Sequence, residues 1–219
     1  DTSSWYTNIG KAFQMPPLNQ YFSKSTLANG KDLKPQEGWN YEAGYKIINE
    51  DSSWKFAVCK MDIKNKFEYA KDETGIDVLI NKGKFKNTGF EAEYNKIIND
   101  RWNANFGFNY GNPEAEDGKG GWEQTYPKMQ LSAGVQYEMD KWQTSLTCNY
   151  LTKRQKNKYD ETIPSAITLN AVVNYAMGAN DTVTLNLNNI LDKNNVITHG
   201  GYDYWDLPFN WTLSWNHKL

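Results

Sequence analysis

Read at every second position, the chain shows one apolar face in stretch after stretch, the period-2 signature of strands with two unlike faces. Trp102, Ala104, Phe106, Phe108 and Tyr110 alternate with Asn103, Asn105, Gly107 and Asn109. Met129, Leu131, Ala133, Val135, Tyr137 and Met139 alternate with Lys128, Gln130, Ser132, Gly134, Gln136 and Glu138. The same pattern recurs in 142–150, 167–175, 183–187 and 209–215, and earlier in 39–47 and 90–94. No helical spacing competes. The pattern predicts about ten strands, near 3–13, 38–49, 53–66, 84–97, 101–112, 125–139, 142–154, 163–177, 182–192 and 206–218. In 53–66, Trp54, Phe56 and Val58 hold one phase and Cys59, Met61 and Ile63 the other, which predicts a bulge between them.

The predicted connections alternate in length. Those around 49–52, 99–100, 140–141 and 178–181 are tight; 14–37, 67–83, 113–124, 155–162 and 193–205 are long and polar. Strands near the roughly 9–11 residues of a tilted membrane strand, with alternating short and long connections, describe a transmembrane β-barrel. A soluble sandwich would show the same period with its apolar faces interlocked. Aromatic placement separates the two. Trp54, Trp102 and Trp142 follow short turns, and Tyr45, Tyr94, Tyr137 and Tyr175 precede them, all in the apolar phase. Amphipathic rings favour a water–lipid interface, so these residues form the expected inner girdle. Tyr110 and Tyr150 stand eight residues beyond Trp102 and Trp142, roughly 26 Å along a strand, where an outer girdle fits.

Composition then makes sense. A formal charge of −2, from 24 Lys+Arg against 26 Asp+Glu, gives no basic footprint for nucleic acid. A mean hydropathy of −0.79 beside an aromatic share of 15% is odd for a globular chain. In a barrel it is expected, because only alternate residues of a short band must be apolar. Cys59 and Cys148 lie in strand-like stretches with no CxxC, and read as unpaired structural thiols. The opening residues DTSSWYTNIG read as the middle of a strand, so the expectation is a mature or partial chain.

Specific segments carry a family resemblance. WYTNIGKAFQMPPLNQYF at 5–22 and DLKPQEGWNYEAGYK at 32–46 resemble the TonB-dependent outer-membrane receptors. NKGKFKNTGFEAEYN at 81–95, TYPKMQLSAGVQYE at 125–138 and LNLNNILDKNN at 185–195 are similar to that family's final strands in order and spacing. The resemblance implies an all-β fold, an antiparallel transmembrane barrel of 22 strands. Residues 1–219 would supply its ten C-terminal strands, with the plug domain absent from this chain. It also implies residence in the outer membrane of a diderm bacterium and uptake of an iron–siderophore, haem or similar metal chelate, driven by TonB. The implied partners are outer-membrane lipid, the remaining strands and plug in the same or a separate chain, the TonB complex through the plug, and the metal chelate. No nucleic acid and no cofactor is implied. Departures are Gln36 after Pro35, where an acidic residue is usual, and Leu219 in place of a terminal aromatic.

Catalysis finds little support: there are two histidines, no G-x-S-x-G, and GKGG at 118–121 lacks the phosphate-loop spacing. The candidate ligand contacts are the outer-loop residues Trp122, Tyr126, Arg154, Tyr159, His199, Tyr202, Tyr204 and Trp205. Their rings and guanidinium suit a flat or anionic chelate. Glu42, Glu91 and Glu93, on the polar phase, are expected to face the lumen and touch a plug. DKNN at 192–195 offers oxygen ligands without calcium-loop spacing, so no metal site is expected. The alternatives are a small stand-alone outer-membrane barrel, porin-like or of protease or lipase type, and a soluble all-β binding module.

Overall fold

A computed structural model describes residues 2–21, 33–71, 74–116, 121–124, 126–155, 162–199 and 202–218. In chain order it contains β1 (Thr2–Gln14), a single helical turn α1 (Leu18–Tyr21), β2 (Gln36–Ile48), β3 (Ser52–Lys71), β4 (Asp77–Asn99) and β5 (Trp102–Gly111). Then follow β6 (Glu114–Glu116), β7 (Trp122–Gln124), β8 (Met129–Met139), β9 (Trp142–Leu151), β10 (Arg154–Gln155) and β11 (Thr162–Ile163). The chain ends in β12 (Ala166–Ala176), β13 (Asp181–Asn188), β14 (Val196–His199), β15 (Asp203–Trp205) and β16 (Asn210–His217).

Ten of these strands pair as an antiparallel meander, in the order β1-β2-β3-β4-β5-β8-β9-β12-β13-β16. They are the ten that the period-2 pattern predicts. Register opposes like faces at every junction, so a single apolar face and a single polar face run across the whole wall. Few side chains are fully buried. The buried apolar residues are Leu33, Ala57, Val78, Leu79, Ala115, Ile163 and Val196, most of them in or beside the loop-end hairpins. The ends of the strand path have one neighbour fewer, which shows in exposure: Trp5 on β1 is 79% accessible and Trp215 on β16 64%, against 39% for Trp102 inside the wall.

At the short-turn end the aromatics meet across strands. Trp5 faces Tyr45, Trp54 faces Tyr94, Trp102 faces Tyr137 and Trp142 faces Tyr175 in register. Ring centroids lie 4.5, 4.0, 4.6 and 4.5 Å apart respectively. The predicted girdle is therefore a row of cross-strand ring pairs, Trp54–Tyr94 stacked and the other three tilted, and Trp5 is the one member that the alternation does not single out.

Two expectations change. The bulge falls at Ile63–Phe67 rather than between Val58 and Cys59; Asn65 there adopts a left-handed φ of 55°. The regular register from Ser53 to Ile63 keeps Cys59, Met61 and Ile63 on the polar face with Ala57, where Cys59 and Met61 line a pocket. The long connections also carry secondary structure. β3 and β4 continue past their neighbours as far as the Lys71–Asp77 pair, with Gly75 beyond it at φ 82°, and β6 with β7, β10 with β11, and β14 with β15 pair as small two-stranded units. Asn81 stitches residue 34 to this extension, accepting from the Lys34 amide at 2.6 Å and donating to the Lys34 and Asn65 carbonyls.

Candidate functional site: the polar face and its loop-end mouth

The polar face is divided. From β5 to β16 its strand positions carry amides, hydroxyls and small residues apart from Leu151 and Val172, with one charged side chain, Glu138. On β2 to β4 it carries Glu42, Lys46, Lys55, Glu91 and Glu93. Tyr6 on β1 donates its hydroxyl to Glu42 Oε1 at 2.7 Å, and Lys46 Nζ lies 5.0 Å from the Tyr6 ring centre. Lys55 Nζ stands 3.4 Å from Glu93 Oε1. Tyr6 can lie flat here because its cross-strand partner is Gly44; a Cβ at Gly44 would sit 2.3 Å from the Tyr6 ring. Three carboxylates against two ammonium groups leave this part of the wall net anionic.

Toward the loop end, a pocket of about 410 Å³ opens on the same face. Cys59, Met61, Phe85, Asn87 and Glu91 line it from β3 and β4, Asn109 and Gln130 from β5 and β8, and Tyr126 with Pro127 roof it. Tyr126 meets Phe85 edge-on at 6.2 Å. The geometry thus brings together Tyr126 and Glu91, which the sequence places in separate groups. It adds Phe85, Asn87, Asn109 and Gln130; their signal was phase alone, shared with dozens of lumenal positions. Asn87 Oδ1 is shielded from solvent and has no hydrogen-bond partner among the described residues.

The other loop candidates scatter. Trp122 lies on the opposite face, its ring 3.8 Å below Lys86 Nζ, so it points away from the pocket. Arg154 is buried at 8% exposure, and its Nη2 donates to the Val196 and Ile197 carbonyls at 2.8 and 2.6 Å. Burial alone pulls the guanidinium pKa down, and Nη1 has no hydrogen-bond partner. Arg154 therefore clips the β10–β11 hairpin to β14. The β14–β15 hairpin carries the His199 position opposite Asp203, with Tyr202, Tyr204 and Trp205 exposed on it. Tyr159 lies outside the described residues. Asn189, 2% exposed with φ 49°, donates to the Lys193 and Leu207 carbonyls and accepts from the Lys193 amide. Asp192 accepts from the Phe209 amide, and Asn195 exchanges bonds with both backbone groups of Ile167. The oxygen-rich 189–195 segment thus spends its side chains tying the β13–β14 connection to the wall.

An antiparallel ten-stranded meander with one aromatic, apolar face and one polar face is the wall architecture of a transmembrane β-barrel. The chain belongs to the TonB dependent receptor-like β-barrel family, whose model matches residues 1–190. It is 24% identical to the metal-pseudopaline receptor CntO of Pseudomonas aeruginosa over 88% of the chain, and 24% identical over 88% to the probable TonB-dependent siderophore receptor PiuA of Acinetobacter baumannii. It spans 31% and 28% of those relatives' lengths. Its fold superposes on the ferric-catecholate import receptor Fiu of E. coli K12 with a TM-score of 0.74 at 21% identity, covering 98% of this chain and 33% of that one.

Proposed function

We propose that the chain forms part of the barrel of an outer-membrane receptor that takes up a metal chelate, with energy relayed by TonB through a plug. The apolar face then meets lipid and the polar face lines the lumen. The observation that carries the reading is the pocket beneath Tyr126, which offers an aromatic ring, side-chain amides and a carboxylate on a family barrel wall. The two relatives named above are a metal-pseudopaline receptor and a probable siderophore receptor by name, which supports this ligand class. Tyr126 and Glu91 would touch the chelate directly. Tyr202, Tyr204 and Trp205, with His199 on the same hairpin, would cover it from the mouth, while Arg154 holds that hairpin in place. Glu42, Glu91 and Glu93 would face cationic groups of the plug.

The test is binding by the full-length receptor of three metal-loaded probes: a ferric catecholate, a ferric hydroxamate and haem. One of them should bind at least tenfold more tightly than its metal-free form. Tyr126→Ala should weaken that binding by about tenfold, since loss of one stacked aromatic contact removes about 1–1.5 kcal/mol. Equal binding of loaded and free forms by every probe would contradict the reading.

A further inference from the structure

The lipid-facing side of the wall is not uniform. On β5 and β9 the position eight residues from the inner-girdle Trp is Tyr110 or Tyr150, as an aromatic belt requires. On β3 and β4 the equivalent positions, eight residues from Trp54 and Tyr94, are Asp62 and Lys86, which are register partners. The row continues in register through Trp39 to Lys11 on one side and to Glu114 on the other. Lys60 and Lys64 flank it on the same face of β3. From β5 to β16 this face carries no charged strand residue between the inner girdle and the loop end. The charged collar is confined to β1–β4 and β6.

Its chemistry is that of a cationic surface held ready. Lys11 pairs with Glu37 at 2.8 Å, Lys60 with Asp62 at 3.4 Å and Lys86 with Glu114 at 3.1 Å. Lys64 has no ion-pair partner among the described residues, which leaves one positive charge in excess. Each ammonium has three N–H donors and a pairing uses one, so most donors still point outward. Lys11 and Lys86 also stand over the Trp39 and Trp122 rings, at 6.0 and 3.8 Å from the centroids, which holds them at the surface rather than free in solvent. Lysines at this height reach along the wall toward the headgroup layer, where phosphate is the available anion.

We infer that Lys11, Lys60, Lys64 and Lys86 form a binding site for the phosphate groups of an outer-leaflet lipid, on the β1–β4 sector of this wall. The inference rests on the outer-membrane reading above. It gives a use to Trp122 that the ligand pocket does not: a wedge beside the lipid rather than a contact for the chelate.

The test uses the full-length receptor in non-ionic detergent, titrated with lipid A bearing two phosphates and with the same lipid after removal of both, read by native mass spectrometry. The wild type should bind the phosphorylated form about tenfold more tightly, and raising salt from about 50 to about 300 mM should erase most of the difference. The variant Lys11→Gln/Lys60→Gln/Lys64→Gln/Lys86→Gln should lose the preference, while Lys66→Gln/Lys71→Gln, above the collar, should keep it. Equal affinity of the wild type for the two lipids would overturn the inference, as would an unchanged preference in the fourfold variant. Should that variant fail to fold, the wild-type comparison and its salt dependence decide the matter alone. Recovery of the wild type without detergent would instead sink the membrane reading itself.

Discussion

Gly44 is where a single missing side chain organises the polar face. The space above it holds the Tyr6 ring, which puts the phenol within 2.7 Å of Glu42 and under Lys46. Gly44→Ala should force Tyr6 out and break the Tyr6–Glu42 bond; Tyr6→Phe removes the same bond without a clash. Comparable loss of thermal stability in the two variants would mean that the bond matters more than the packing, whereas the account expects Gly44→Ala to be the worse by about 1–3 kcal/mol. Asn189 is the second such position. Alanine there would leave the Lys193 and Leu207 carbonyls and the Lys193 amide without their side-chain partner, and would remove the amide that lets asparagine tolerate a positive φ, a loss of about 1–3 kcal/mol in urea unfolding from detergent micelles. Neither residue announces itself in the sequence: Gly44 is one of 16 glycines, and the NNILDKNN run has the look of a loop or an ion site until its partners are seen.

Among the elements, the strands were legible and the loops were not. Alternation gives a strand its identity because a one-residue slip would invert every side chain, so all ten wall strands can be found without a structure. The hairpins β6–β7, β10–β11 and β14–β15 are two to four residues per strand, too short to show a period. The same shortness hid which way Trp122 and Tyr126 point, and with it which of the two belongs to the pocket. β3 misleads differently: past Val58 its outward face turns charged at Lys60 and Asp62 while its other face turns apolar at Cys59, Met61 and Ile63, so the apolar phase switches with no bulge in the backbone there. The β6–β7 hairpin also gives a pH prediction. The Lys86 ammonium, then the Asn112 amide, hold the Glu114 carboxyl below its ordinary value of 4.5. A carboxyl whose folded pKa is depressed stabilises the fold fully above the ordinary value and loses that contribution as pH falls through the folded one. A spin label replacing Glu123 should therefore report a less mobile hairpin at about pH 7 than after the pH has fallen below the depressed Glu114 value. Glu114→Gln should be mobile at both, and an immobile label in that variant at neutral pH would show that the pair does not anchor the hairpin.

At the scale of the molecule, the wall works as a boundary with three chemistries: an apolar face, a neutral amide lining over most of the lumen, and charge concentrated on β1–β4. That concentration places the anionic lumen cluster and the outward-facing lysine collar on opposite faces of the same strands. The sequence showed the two faces clearly, since each is a phase of one pattern. It did not show that both charged groups occupy one sector, because that follows from register across strands far apart in the chain. The central claim is that this wall belongs to an energised importer rather than a passive pore. It is tested most directly by uptake of the iron-labelled chelate that the full-length receptor binds, in cells with and without a working TonB. The account predicts accumulation that requires both the receptor and TonB and is lost when TonB is deleted. Uptake that persists without TonB and falls off only with solute size would contradict it.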